Sequence, residues 1–221
     1  MRQFTAIIFD LDGTLIDSIE DLADSMNTVL ENLGFPTHET ESYKHMVGDG
    51  VRALVERAVM GNVLEEADLE FSLQKFQEEY ATRWQTKTRP YAGIPELLDA
   101  LESEDIRMNI LSNKLDHFTK LTVSRFFPRH KFSCVMGAVP SIPKKPDPAG
   151  ALFIAHALEI PPQRFLFLGD SNTDMMTAVA AGMYPVGALW GFRSEKELLE
   201  SGASEVIASP LALLPFFKGL E

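Results

Sequence analysis

Two aspartates, Asp10 and Asp12, directly follow an apolar, strand-like segment, and Gly13 and Thr14 come immediately after them. A carboxylate at the carboxyl end of a parallel strand lies where open α/β sheets bind their ligands. One carboxylate can attack phosphorus to give an aspartyl-phosphate, and a second, two residues on, can give and take the proton. The motif by itself is a weak signal, because Asp-Gly is a common turn and Thr a common helix cap.

Three later segments place polar residues at comparable positions. Ser112-Asn113-Lys114 follows an apolar run, Lys144 to Pro148 is a rigid loop before a helical pattern, and Gly169 to Asp174 joins another apolar run to a helix. In a parallel sheet all three segments face the same crevice as Asp10 and Asp12. Each has a simpler explanation, as a helix cap, a turn or a solvated lysine. Their joint occurrence in this order is what indicates a site.

The four acids expected in this crevice are Asp10, Asp12, Asp170 and Asp174. Carboxylates so close to one another cannot all ionise without a cation. Hard carboxylate oxygens, a backbone carbonyl and open positions suit Mg²⁺, which often binds through one or two carboxylates and a substrate phosphate. The sequence therefore predicts a Mg²⁺ site here.

Groups that bind phosphoryl oxygens are expected at the same place. Lys145 supplies a positive charge, Ser112 a hydroxyl donor, and the turn at Gly13 supplies backbone N–H groups. Such donors are the parts of a phosphoryl-binding site.

The elements that must position these residues alternate between strand-like and helical patterns from about residue 88 onward. The predicted strands of this part are 107–111, 132–136, 164–168, 184–189 and 205–207. Alternation of this kind is typical of an α/β fold, a doubly wound, Rossmann-like parallel sheet with helices on both faces.

Residues 16–87 differ in character, because their apolar residues recur at helical spacing and no convincing strand is present. Ser18 stands three residues before Asp21, which resembles a capping box at the start of the first helix. We expect a helical cap domain at 16–87, inserted into an α/β core domain formed by 1–15 and 88–221. The alternative is one continuous domain with irregular early helices.

The composition excludes several classes of protein. The chain has 221 residues, a formal net charge of −12 and a single cysteine, Cys134. The negative charge disfavours nucleic acid and anionic membranes as partners, and no apolar stretch has the roughly 18 residues of a membrane span. One cysteine forms no internal disulfide and suits a reducing compartment. We therefore expect a cytoplasmic protein with neither a nucleic-acid nor a membrane partner.

The motifs together resemble those of the haloacid dehalogenase-like hydrolase superfamily. Asp10 to Leu15 is similar to its first motif, the segment ending in Ser112 to the second, Lys145 to Pro148 to the third, and Gly169 to Asp174 to the fourth. The order of the four motifs matches throughout. The resemblance implies a doubly wound core with a helical cap inserted after the first motif.

The resemblance also implies roles for individual residues. Asp10 is the expected nucleophile and a Mg²⁺ ligand, Asp12 the general acid and base with its backbone carbonyl on the metal, and Asp170 a direct ligand. Asp174 is expected to bind the metal through water or to support Lys145. The remaining members of the expected site are Ser112, Asn113, Lys145 and Gly13 for phosphate, and Thr14 as a supporting residue.

Softer features indicate the phosphoglycolate phosphatase-like branch of the superfamily. The segment Val47 to Ala58 is similar to a cap segment that contacts the part of the substrate other than phosphate. In it, Gly48 and Gly50 allow a close turn, and Arg52 is placed to reach a substrate anion. The alternative is that Arg52 is a solvated helix residue.

The leading hypothesis is a Mg²⁺-dependent phosphatase acting on a small phosphorylated metabolite, with 2-phosphoglycolate as the first candidate. A phosphosugar mutase and an inorganic pyrophosphatase share the same core residues and stay open as alternatives. A non-catalytic binding protein is disfavoured, since binding alone does not require Asp12 beside Asp10. The protein is expected to be a monomer or a homodimer.

Overall fold

The strand at the centre of the molecule, β1 (Ala6–Phe9), is completely buried. This computed structural model describes residues 4–59 and 66–217. Neighbouring side chains of β1 point to opposite faces of a sheet. Ile7 and Phe9 belong to the apolar cluster on one face, and Ala6 and Ile8 to the cluster on the other. A strand buried on both faces is apolar throughout, as the sequence of β1 is.

Five further strands join β1 in one sheet. They are β4 (Arg107–Leu115), β5 (Cys134–Ala138), β6 (Phe165–Gly169), β7 (Tyr184–Ala188) and β8 (Glu205–Ile207). The order across the sheet is β5-β4-β1-β6-β7-β8, and every neighbouring pair is parallel. The predicted α/β fold with a doubly wound parallel sheet is confirmed.

Helices cover both faces of the sheet. They are α5 (Ile94–Ser103), α6 (Asp116–Phe126), α7 (Ala149–Ala157), α8 (Asn172–Ala181) and α9 (Glu195–Glu200). Residues of α5 and α6 pack in the cluster of Ile7 and Phe9, and residues of α7 and α8 in the cluster of Ala6 and Ile8. No helix among the described residues is long and apolar enough to cross a membrane.

A helical segment lies between two short strands, β2 (Ile16–Asp17) and β3 (Arg89–Pro90), which pair antiparallel. Its helices are α1 (Ile19–Asn32), α2 (Thr40–Tyr43), α3 (Val51–Ala58) and α4 (Glu66–Arg83). We call residues 18–88 the helical insert. Most of its buried apolar side chains form a cluster of their own, joined by Phe118 and Phe192 from the sheet-bearing part. The helical character is as expected, while the division into two domains stays a prediction.

Two polar contacts lie where the insert leaves and rejoins the sheet-bearing part: Asp21 joins the two ends of the insert, and Ser18 joins the insert to Asp12. The buried carboxylate of Asp21 accepts hydrogen bonds from the backbone N–H groups of Lys87 and Thr88 at 2.9 to 3.1 Å and from the Thr88 hydroxyl at 2.7 Å. Ser18, expected to cap α1, makes no side-chain capping bond. Its hydroxyl instead donates to Asp12 Oδ1 at 2.6 Å, so the capping prediction is wrong.

Candidate active site

The topology places Asp10 between two neighbouring strand ends. It follows β1, whose partners are β4 on one side and β6 on the other, and its backbone N–H donates to Leu168 of β6 at 2.9 Å. From β1 the chain runs outward on one side to β4 and β5, and on the other to β6, β7 and β8. The strand order therefore reverses at β1, which is where doubly wound sheets bind ligands.

Three buried carboxylates meet at this point. Oxygen atoms of Asp10, Asp170 and Asp174 all lie within 4.8 Å of one another. Burial, and next the charge of Asp174, raise the pKa of Asp10 from 3.8 to about 7 and that of Asp170 to about 8. The protein alone therefore does not stabilise all three negative charges, and the cluster favours a bound cation.

Lys145 supplies part of the positive charge. Its Nζ atom lies 2.8 Å from Asp10 Oδ1 and 2.7 Å from Asp174 Oδ1, and 3% of its side chain is exposed. Burial by itself lowers the pKa of the Lys145 ammonium, but the two carboxylates outweigh that effect and raise the pKa above its ordinary value. Lys145 is therefore a fixed positive charge beside Asp10.

Asp170 is held by residues from two loops. The Thr14 hydroxyl donates to its Oδ1 at 2.9 Å, and the backbone N–H of Phe192 donates to its Oδ2 at 2.8 Å. Gly13 has a φ of 91° and packs so closely on Asp170 that a Cβ atom there would collide with the carboxylate. This explains the glycine at position 13.

The donor set fits Mg²⁺. Hard carboxylate oxygens are the ligands Mg²⁺ prefers, and Asp10 and Asp170 present them side by side. Asp174 contacts Lys145 directly: its Oδ1 accepts from the Lys145 ammonium, while its Oδ2 accepts from the Ser171 hydroxyl and N–H in a capping box of α8. This arrangement supports the second of the two roles expected for Asp174, that of holding Lys145.

Asp12 lies on the side of the site that faces the insert. Its Oδ1 accepts from the Ser18 hydroxyl at 2.6 Å and from Lys114 Nζ at 2.9 Å, and its Oδ2 lies 3.1 Å from the same ammonium. The Lys114 ammonium also donates to the hydroxyl of Tyr80 in α4, at 2.6 Å. A chain of polar contacts thus runs from Asp12 to the insert.

Ser112 and Asn113 lie in the irregular end of β4. This strand runs four residues beyond the expected end at Leu111, with a register shift between Leu111 and Leu115. The Ser112 hydroxyl accepts from the N–H of Lys114 at 3.2 Å, which leaves its proton for a ligand in the cavity that it lines. The Asn113 amide instead binds backbone: it donates to Gly48 and Lys145 carbonyls and accepts from the Lys145 N–H. This geometry assigns the amide to positioning the two loops.

A cavity lies between the sheet edge and the insert, directly above Asp10 and Asp12. Its empty volume is about 660 Å³, including the part open to solvent. Gly48 and Gly50 of the cap segment line it, and their contact with substrate stays a prediction. Its apolar lining consists of Leu22, Val47, Val51, Leu54, Phe76, Leu115, Phe118 and Phe192, and the polar side chains beyond the acids and Ser112-Asn113 are Gln77, Tyr80 and Lys114.

Arg52 does not line this cavity. Its guanidinium donates to Glu56, Glu66 and Glu70 at 2.7 to 3.0 Å on the outer surface of the insert. Three carboxylates hold the side chain there, so the expectation that Arg52 reaches a substrate anion is not met in this structure.

Sequence reasoning did not assign a role to Lys114 or to Tyr80. The predicted strand ends at Leu111, so Lys114 falls outside it and its direction could not be read from strand alternation. Tyr80 continues the apolar helical spacing of α4, which by itself indicates only a core position.

Comparison with known proteins shows the family of this chain. Residues 7–188 match the haloacid dehalogenase-like hydrolase family. A phosphoglycolate phosphatase of Pseudomonas putida is 35% identical over 213 residues, which cover 95% of this chain and 78% of that protein. A phosphoglycolate phosphatase of Psychrobacter arcticus is 31% identical over 217 residues, covering 95% of this chain and 94% of the other.

Solved structures share the fold over nearly the whole chain. A crystal structure of a protein from Lactobacillus delbrueckii subsp. bulgaricus superposes with a TM-score of 0.92 at 27% identity. It covers 99% of this chain and 100% of that one.

Proposed function

The chain belongs to the haloacid dehalogenase-like hydrolase family and is one of its phosphatases. We propose that it hydrolyses a small phosphate monoester. The proposed reaction requires Mg²⁺ and proceeds through an aspartyl-phosphate on Asp10. The observation that carries the proposal is the pairing of Asp10 with a buried ammonium, Lys145 Nζ at 2.8 Å, at the base of a cavity that Asp12 also lines. A carboxylate nucleophile needs such a positive charge for the oxygens of the phosphoryl group it attacks.

The reaction has two displacements at phosphorus. In the first, an Asp10 oxygen bonds to phosphorus, the bond to the ester oxygen breaks, and Asp12 gives its proton to that oxygen, which leaves as the alcohol. In the second, water attacks the same phosphorus, Asp12 takes back a proton, and inorganic phosphate leaves Asp10 regenerated. Lys145, Ser112 and the N–H groups of the turn at Gly13 bind the phosphoryl oxygens in both steps.

Asp10, the backbone carbonyl of Asp12, and Asp170 form the proposed Mg²⁺ site. When bound, the ion supplies positive charge that lets the carboxylates ionise together and that neutralises the phosphoryl oxygens. Thr14 and the Phe192 N–H fix the orientation of Asp170 for this purpose.

We further propose that residues 16–87 act as a cap domain over the core formed by 1–15 and 88–221. The paired strands β2 and β3 cross between the two parts and are the proposed hinge. Opening admits substrate and the second-step water, and closure excludes water from the first step. The lack of a membrane-crossing helix among the described residues is compatible with the cytoplasmic location we propose.

2-Phosphoglycolate is the proposed substrate because two relatives that match 95% of this chain are named phosphoglycolate phosphatases. The test is phosphate release by the purified protein, with Mg²⁺, from 2-phosphoglycolate, a hexose 1-phosphate, pyrophosphate and an aryl phosphate. We expect the highest kcat/KM for 2-phosphoglycolate. Interconversion of the hexose phosphate without release of phosphate, or a preference for pyrophosphate, would contradict the proposal.

A further inference from the structure

The cavity above Asp10 is lined by one positively charged side chain that does not contact the acidic cluster of Asp10, Asp170 and Asp174. Among the described residues that line it, Lys114 is the single lysine, arginine or histidine. Its side chain is 7% exposed, and half of the other residues that line the cavity are apolar. A mostly buried ammonium at the wall of a cavity attracts an anionic or strongly polar ligand, because opposite charges interact more strongly away from bulk water.

The position of this ammonium is defined from two sides. Lys114 Nζ lies 2.9 and 3.1 Å from the two Asp12 oxygens and 2.6 Å from the Tyr80 hydroxyl, and it also lies 4.7 Å from the centre of the Tyr80 ring. These contacts hold the ammonium in one place, at the wall of the cavity.

The role of Asp12 locates the substrate relative to Lys114. To protonate the leaving oxygen, Asp12 must come within about 2.8 Å of it. The ester oxygen and the Lys114 ammonium are then both neighbours of one carboxylate. Standard bond lengths put the nearer carboxylate oxygen of 2-phosphoglycolate about 3 Å from its ester oxygen, so that oxygen can reach the ammonium while Asp12 holds the ester oxygen.

We propose that Lys114, with the Tyr80 hydroxyl, binds a carboxylate attached to the carbon that bears the ester oxygen, which makes phosphate monoesters of 2-hydroxycarboxylates the favoured substrate class. This inference rests on the proposed phosphatase function and assigns the substrate anion to a residue of β4 instead of the cap residue Arg52. Tyr80 brings the insert into the same contact, so the site is complete when α4 packs over β4.

The competing role for Lys114 is to orient Asp12 without touching substrate. The two roles differ in their dependence on the substrate. A lysine that orients Asp12 affects every ester alike, whereas a lysine that binds the carboxylate affects only esters that carry one. Ethyl phosphate is the matched ester without a carboxylate, since it has a methyl group where 2-phosphoglycolate has the carboxylate.

The experiment measures kcat and KM of the holoenzyme with both esters for the wild type, Lys114→Met and Tyr80→Phe. For Lys114→Met we expect the ratio of kcat/KM for 2-phosphoglycolate to that for ethyl phosphate to fall at least about tenfold, mainly through KM, as for loss of a charge-assisted hydrogen bond. Tyr80→Phe, which leaves the ammonium in place, lowers the same ratio by a smaller factor and serves if Lys114→Met does not fold. Lys120→Met, which removes an exposed charge of α6, leaves the ratio unchanged.

If kcat/KM falls equally for both esters in Lys114→Met, the inference is wrong, while the phosphatase function is unaffected. The same result in Tyr80→Phe has this meaning if Lys114→Met does not fold. A wild-type protein that hydrolyses ethyl phosphate as well as 2-phosphoglycolate overturns both the inference and the proposed substrate. A wild type that releases phosphate from neither ester, nor from an aryl phosphate, shows instead that the proposed function itself is wrong.

Discussion

The Nζ atom of Lys145 lies 2.7 Å from Oδ1 of Asp174, and the two side chains are 3% and 0% exposed. Asp174 is itself held by the Ser171 hydroxyl and N–H, so the ion pair is anchored to the first turn of α8. The same ammonium lies 2.8 Å from Asp10. The start of one helix therefore positions the positive charge that faces the proposed nucleophile.

Replacing Lys145 by Met leaves three neighbouring buried carboxylates without their fixed cation. We expect kcat with an aryl phosphate to fall by at least about 100-fold, the size typical for loss of a preorganised electrostatic group. The matched control is Lys144→Met, since Lys144 donates only to the backbone carbonyl of Asp49 among its described contacts. Equal losses in the two variants would show that Lys145 has no special role.

Asp10→Asn keeps the shape of the side chain and removes the nucleophile. We expect kcat to fall by at least about 1,000-fold, as for other enzymes that lose a covalent nucleophile. Asp105→Asn is the control, because Asp105 is exposed and its φ of 54° suits Asn. Phosphate release is the measurement, with circular dichroism to confirm folding. Activity retained within tenfold of the wild type would exclude Asp10 as the nucleophile.

The buried carboxyl groups of Asp10 and Asp170 make the stability of the metal-free protein depend on pH. Burial raises the pKa of Asp10 to about 7 and that of Asp170 to about 8, while both have ordinary values of 3.8. The folded state thus binds more protons than the unfolded state between these values, so its free energy of unfolding falls as pH rises from about 4 to about 8. We expect Tm in chelator to be lower at pH 8 than at pH 5.5.

The stabilisation by added Mg²⁺ is expected to increase with pH, because the ion binds the ionised carboxylates. The increase in Tm on adding MgCl₂ is expected to be larger at pH 8 than at pH 5.5. Asp170→Asn removes one of the two titrating groups and is expected to reduce both effects. A Mg²⁺-induced increase that does not change with pH would contradict this account of the cluster.

Asp21 is expected to stabilise the junction between the insert and the sheet. Asp21→Asn weakens the carboxylate bonds to Lys87 and Thr88, and we expect the free energy of unfolding to fall by about 2 kcal/mol, as for hydrogen bonds to a buried charged group. Asp24→Asn is the control on the same helix, because Asp24 pairs with the Lys87 side chain at the surface. Urea denaturation gives both values. A change in Asp21→Asn no larger than that in Asp24→Asn would exclude a structural role for the junction.

The segments predicted from sequence correspond closely to the structure where local pattern decides. β8 has the predicted bounds 205–207, and α8 ends before Gly182, which adopts the left-handed conformation. Periodicity and turn residues are local properties and can be recognised without a fold. The end of β4 was placed too early because pairing with β5 resumes at Leu115 after a register shift, and pairing is a property of two strands.

For the candidate site, too, some features follow from the sequence and others from the tertiary structure. The sequence by itself determined the convergence of Asp10 and Asp170, because each directly follows a parallel strand and the carboxyl ends of parallel strands meet at one edge of the sheet. The tertiary structure decided which cation faces the cavity. That outcome depends on how the insert packs on β4 and on the three glutamates that hold Arg52 outside, and these contacts join residues far apart in the chain. Lys114, whose partners Asp12 and Tyr80 lie 102 and 34 residues away, has its role through those contacts alone.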